Sequence, residues 1–161
     1  MRSAIEKCYY GLSRGAAALE SPFLLLVRLY WGWQLIETGW GKINNIAKVT
    51  SFFTTLGIPL PGLTAHFIAG LELVGGILLV FGLASRLSAL LLTIDMLVAY
   101  ILADREALFS VISNPDKFSA AAPFTFLVAS LIVLIFGPGK FSLDAWLFAR
   151  KGLAGTAAES L

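Results

Sequence analysis

The sequence predicts an all-α integral membrane protein, a four-helix antiparallel bundle followed by an interfacial C-terminal amphipathic segment. Two observations carry that reading. Across 161 residues the chain is 58% hydrophobic and 14% charged, with a mean hydropathy of +0.83. Soluble domains run near 45–50% apolar and about 25% charged. A water-soluble domain of this size could not hide so much apolar surface, so lipid must solvate part of it. The second observation is that the apolar residues gather into four stretches, each near the ~20 residues that cross ~30 Å of hydrocarbon.

Residues 1–21 are polar and mixed in charge, with no apolar core of their own, unlike a secretory signal. They are expected to form a cytoplasmic lead-in, and the first apolar stretch to serve as an uncleaved anchor. That stretch runs over about 22–43 and opens on Pro22, a residue tolerated in the first turn of a helix. The second covers about 62–82, after the loop Leu56-Gly57-Ile58-Pro59-Leu60-Pro61-Gly62, whose prolines forbid a continuous helix. The third covers about 86–103. The connection before it is so short that the two must form an antiparallel hairpin. The fourth covers about 121–137 and stops at Gly137-Pro138-Gly139. The last two are at the short end, and would stand upright or thin the bilayer locally. Residues 140–151 mix aromatic and basic side chains as an interfacial amphipathic segment does. The membrane domain thus spans 22–151, and residues 152–161 are expected to be a mobile tail.

Charge sets orientation and excludes some functions. The net charge of +2 is small and no long basic run exists, so nucleic acid is not an expected partner. With four spans, both termini and the middle turn share one side. That side carries Arg2, Lys7, Arg14, Arg86, Lys140, Arg150 and Lys151, the other Lys42, Lys48, Arg105 and Lys117. The bias places both termini in the cytoplasm. Cys8 is the single cysteine, so neither an intramolecular disulfide nor a dithiol shuttle is available. A four-helix quinone reductase of the vitamin K epoxide type, which needs paired cysteines, is therefore excluded.

The informative residues are the ionisable ones inside the apolar stretches. An ionised side chain costs roughly 2.5–3.5 kcal/mol to insert, so such groups face the helix interior and pair. They are Arg28, Glu37 and Lys42 in the first stretch, His66 and Glu72 in the second, and Asp95 in the third. At ~1.5 Å of rise per residue, Arg28 lies about six residues from the cytoplasmic end, Glu72 about ten and Asp95 about nine. Glu37 and His66 lie about fifteen or sixteen from it, with Lys42 just above. The depths predict an inner layer of Arg28, Glu72 and Asp95 and an outer one of Glu37, His66 and Lys42. Arginine can bridge two carboxylates with its planar fork, and two acids against one cation leave a proton to be shared. The bland alternative is that these groups only fix helix register. One histidine excludes a bis-histidine haem, and His66 with Glu37 lacks the spacing of a metal site, so no metal is expected.

Glycines punctuate the first two stretches (Gly32, Gly39, Gly41, then Gly70, Gly75, Gly76, Gly82) and predict close contact between their helices. Trp40, Phe52 and Phe53 fit interface anchoring. Trp31 and Trp33 lie deeper, where core packing is the simpler reading and stacking on a flat ligand the alternative.

In order and spacing these residues resemble the DoxX family of small bacterial membrane proteins. The resemblance begins with Arg28-Leu29 and Gly39-Trp40-Gly41-Lys42, then continues through Phe52-Phe53 and Leu56-Gly57-Ile58-Pro59. It goes on with Glu72-Leu73-Val74-Gly75-Gly76, Gly82 and Arg86, and ends on Gly137-Pro138-Gly139 and Ser142-Leu143-Asp144. It implies a four-helix fold in the bacterial inner membrane and an association with redox metabolism. Relatives accompany thiosulfate:quinone oxidoreduction, quinone resistance and oxidative-stress enzymes. Arg28, Lys42 and Glu72 match the family's polar signature, whereas Asp95 and His66 depart from it.

Three functions remain open at this point. A quinone-linked redox subunit would bind quinone without a covalent cofactor, with Glu72 or Asp95 handling protons. Electrons would then pass to a partner membrane redox protein. An assembly subunit would use the polar layers only to lock its helices. A transporter or binder of small hydrophobic ligands would use an interior cavity, and alternating access through so few spans would call for a homo-oligomer.

Overall fold

The computed structural model describes residues 2–147, which are helical with no strand among them. The sequence-predicted tail at 152–161 and the end of the amphipathic segment fall outside the described residues. Among the described residues, seven helices precede Gly137: α1 (Arg2–Asn44), α2 (Ile46–Thr55), α3 (Pro61–Phe81), α4 (Ser85–Leu102), α5 (Arg105–Phe109), α6 (Pro115–Ala120) and α7 (Pro123–Phe136). The long ones pack as neighbours in sequence: α1 on α3, α3 on α4, α4 on α7, and α7 back on α1. Of these, α3 and α4 are each long and apolar enough to cross a membrane, while α7 is shorter at 14 residues.

The first correction concerns α1. Pro22 does not open a helix but lies inside one of 43 residues. An internal proline forfeits one backbone bond and crowds the carbonyl four residues back. Here Ala16, Ala17, Ala18, Leu19 and Glu20 precede it, strong helix formers that carry the helix through. Pro22 itself is exposed, so the freed Ala18 carbonyl can be solvated.

Small residues set the α1–α3 contact. A Cβ on Gly39 would stand 2.9 Å from the Ala69 carbonyl oxygen, and one on Gly76 would stand 2.7 Å from that of Gly32. Helix α3 ends at Gly82, whose φ of +67° is the left-handed cap that glycine adopts without strain. The Gly82 and Leu83 amides turn back to the Leu79 and Leu78 carbonyls at 3.1 and 3.0 Å. The chain then reverses into α4 and makes the expected hairpin.

The segment after α7 returns to that turn. The Asp144 carboxylate accepts from the Ala84 and Ser85 amides at 2.8 Å each and so caps α4. Residues 143–147 are helical. At the opposite end, Tyr100 stacks on Phe118 and donates its hydroxyl to the Phe118 carbonyl at 2.8 Å. Nearby, Lys117 donates to Glu106 at 2.8 Å and holds that carboxyl below its usual range. Midway, the Thr93 hydroxyl donates to Ser130 at 3.0 Å and links α4 to α7.

Candidate functional site

A cavity of about 670 Å³ lies between the C-terminal end of α1, α2, α3, the second half of α4 and the start of α7. Its walls are apolar, built from Phe52, Phe53, Leu56, Ile68, Met96 and Phe126 among others. Helix α2 supplies one wall because Val49, Phe52, Phe53 and Leu56 recur at the spacing of a single helix face. It packs against α3, and the cavity separates it from α4. On the α4 side, Val98 and Leu102 both line the cavity and are 41% exposed, so the space opens onto the outer apolar surface.

Five ionisable residues line this cavity, Lys48 and Asp104 towards one end and Lys42, Glu72 and Asp95 gathered together. Lys42 pairs with one oxygen of Glu72. Asp95, on the facing helix, lies within electrostatic reach of both. The register explains the meeting: Gly75 contacts Leu92 across the α3–α4 hairpin, which brings Glu72, one turn on, level with Asp95. Lys42 reaches in from α1 beside Thr38, which also borders the cavity. Glu72 and Asp95 are 3% and 6% exposed, whereas the Lys42 side chain keeps 32% of its surface open. Glu72 Oε2 and Asp95 Oδ2 are buried with no hydrogen-bond partner. A buried polar atom left unpaired costs about 1–3 kcal/mol, so the two oxygens mark a stored cost beside the chamber.

The predicted layers are therefore rearranged. Glu72 and Asp95 do share a level, but Arg28 does not join them. Its guanidinium packs against Gly82 and donates Nη2–H to the Phe141 carbonyl at 2.6 Å, at the Asp144 end of the molecule. The physical reason is the overhang of α1. Arg28, rather than Pro22, stands level with Gly82, and the Gly39–Leu73 contact lies about 16 Å further along the helix. The outer layer does not form either. Glu37 is exposed and accepts from Trp33 Nε1–H at 3.0 Å. His66 is also exposed, with Nδ1 2.7 Å from the Gly62 carbonyl oxygen of its own helix. Trp31 packs into the core and Trp33 faces outward, so neither tryptophan reaches the cavity.

Sequence reasoning missed Thr38 and the role of α2, whose phenylalanines were expected to anchor at the interface. The signal was present: 49, 52, 53 and 56 form an apolar stripe that a helix would present together.

The family model for DoxX matches residues 23–105, from the start of the buried part of α1 through α4. An uncharacterized protein of Haemophilus influenzae is 33% identical over 125 residues, which cover 75% of this chain and 80% of that one. The putative oxidoreductase CatD of Bacillus subtilis is 29% identical over 127 residues, 79% of this chain and 88% of CatD. The inner membrane protein YqjF of Escherichia coli is 27% identical over 130 residues, covering 80% and 95%. No solved structure matches significantly. The lysine and both carboxylates of the cavity fall within the matched region, and the chain belongs to the DoxX family of membrane proteins.

Proposed function

We propose that this protein is a multi-pass subunit of the bacterial inner membrane that binds a quinone-type lipid in its cavity and serves quinone-linked redox metabolism as an accessory component. The reading rests on one observation above all, an apolar chamber with Lys42, Glu72 and Asp95 at one point of its wall. Ligand sites typically enclose about 300–1,000 Å³, mostly apolar with a few convergent polar groups, and this one is about 670 Å³. The aromatic and aliphatic walls suit a ring and its isoprenoid-like tail. The part-exposed Lys42 ammonium has N–H groups beyond the one given to Glu72 and can donate to a ring oxygen. Glu72 and Asp95 face the same Lys42 ammonium, which leaves two carboxyls and one cation at a fixed place. A bound quinone would supply two-electron, two-proton redox capacity. With one cysteine and one histidine the chain has few groups of its own to carry electrons onward, which is why a membrane redox partner is part of the proposal. The relative described as a putative oxidoreductase supports the same direction.

In this reading α1, α3, α4 and α7 form a four-helix bundle that crosses the bilayer four times, with both termini in the cytoplasm. The distribution of lysine and arginine supports that orientation.

The test is mass spectrometry of the protein gently extracted from its own membrane, with identification of any small molecule retained. A quinone or quinol should accompany the wild-type protein and be lost from Lys42→Met and Glu72→Gln. Wild-type protein that retains no such molecule and takes none up when it is supplied would overturn the proposal.

A further inference from the structure

Helix α1 overruns the rest of the molecule. Arg28 stands level with Gly82, where α3 ends, so Leu12, sixteen residues earlier, lies about 24 Å beyond that end. Every residue from 8 to 20 is exposed. A helix that projects so far from its bundle has left the hydrocarbon for water, and a short helix in water is marginal on its own. Gly11 and Gly15 weaken this one further.

The projecting part is nevertheless apolar along one line. Leu12, Leu19, Leu26 and Trp33 follow one another at intervals of seven residues. Tyr9, Ala16, Phe23 and Tyr30 form a second row, each three residues before a member of the first. That alternation of three and four is the spacing by which coiled-coil helices meet. All eight are exposed, the seven large ones by 55% (Phe23) to 73% (Leu12). Leu24, Arg28 and Leu35, which face the bundle, fall on the opposite side of α1, so the rows stay clear of the core. Arg14 falls on that far side too, and neither row holds a charge between Tyr9 and Trp33. Lipid can cover the rows beside α3 but does not reach Tyr9 and Leu12.

We infer that these rows are the contact between two copies of this chain, whose α1 helices pair in parallel as a two-stranded coiled coil from Tyr9 to Trp33. Three features single out a second copy. Copies inserted the same way in one membrane stand parallel and level, so each row meets its own counterpart in register. A two-fold contact needs a self-complementary surface, and uncharged rows with an apolar side chain at every seventh place supply one. The area also suffices. Tyr9, Phe23, Tyr30 and Trp33 stand 55–68% exposed, and at about 150–250 Å² per aromatic side chain their rings alone let a pair of chains cover about 700–1,200 Å². The three leucines add to that, and a specific interface needs about 1,000 Å². The contact ends at Trp33 because one turn on the two Glu37 carboxylates would oppose each other.

The test uses the full chain in isolated native membranes. In a Cys8→Ser background, Leu12→Cys and Leu19→Cys are each oxidised with copper phenanthroline, beside Arg14→Cys and Ala18→Cys on the far side of the helix. A disulfide needs Cα atoms about 4.4–6.8 Å apart, a separation that only the facing rows reach. Positions 12 and 19 should give a reducible product of twice the 17.3 kDa chain, several-fold more of it than positions 14 and 18. Equal yields at all four, which collision alone produces, or no product at any, would overturn the inference. A product of any other mass would also overturn it, by seating a different protein on the rows. Native mass spectrometry of the gently extracted wild-type protein needs no substitution. Two copies should leave the membrane together, and a single copy throughout would contradict the pairing.

Discussion

At the scale of single residues, the most demanding positions are those where two helix backbones nearly touch. Gly39 faces α3 so closely that a Cβ would lie 2.5 Å from the Leu73 amide nitrogen, a distance backbone atoms cannot yield. Gly70, on α3 itself, has nothing within 4 Å of where its Cβ would be. Gly39→Ala should therefore destabilise the protein by about 1–3 kcal/mol through overpacking. Gly70→Ala should be neutral or slightly stabilising, since alanine favours a helix by up to about 1 kcal/mol. Thermal unfolding in detergent checks both, and equal midpoints for the two variants would contradict the close approach. The sequence disclosed these residues unevenly. Glu72 and Asp95 could be brought level by counting along a tight hairpin, because the turn between α3 and α4 fixes their register. Arg28 could not, since its level depends on how far α1 overruns the molecule. A count made from Pro22 misplaced it by most of two helical turns. Lys42 was assigned to the wrong partners for the same reason.

Among the elements, the cap on α4 and the wall formed by α2 carry the most weight. Ala84 enters α4 with a positive φ of 47°, and Asp144 accepts both amides that this turn would otherwise leave open. Loss of such a cap costs about 0.5–2 kcal/mol, and at this site it also unfastens the chain end from the α3–α4 turn. Asp144→Ala should lower the unfolding midpoint accordingly, while Asp144→Asn, still able to accept, should retain much of it. Identical melting of Asp144→Ala and the wild type would show that the cap does little. The helices predicted over 62–82 and 86–103 form at Pro61–Phe81 and Ser85–Leu102, because glycine, proline and a short turn leave little freedom at their ends. Helix α2 went unread for the opposite reason. It is ten residues long, polar at intervals, and lies between proline-rich and asparagine-rich breaks where a loop was the simpler expectation. What makes it structural is tertiary, the apolar stripe it lays over the cavity.

For the molecule as a whole, composition was decisive. A chain so apolar and so sparsely charged specifies its solvent before any element is placed, and Phe67, Phe81, Ile94, Ile101 and Ile135 are exposed apolar surfaces of the kind lipid can cover. Orientation is the property least constrained by packing, since an inverted molecule would have the same helices and the same contacts. The proposed orientation rests instead on the charge bias between the two sides. Cys8 is exposed and is the sole cysteine, so it reports directly on that assignment. A membrane-impermeant maleimide should leave intact cells unlabelled and modify Cys8 only after permeabilisation. Labelling of intact cells would reverse the orientation proposed here and exchange the faces to which Lys140 and Lys117 belong.

The opening of the cavity between α2 and α4, where Val98 and Leu102 face outward, has a consequence for how the site is supplied. A ligand that enters there comes sideways out of the hydrocarbon and never crosses water. Its occupancy is then governed by its mole fraction among the lipids, not by an aqueous concentration. Hydrophobic molecules accumulate in a bilayer far beyond their solubility outside it, so even a modest intrinsic affinity can keep the chamber filled. The protein would in that sense read the composition of the membrane pool around it.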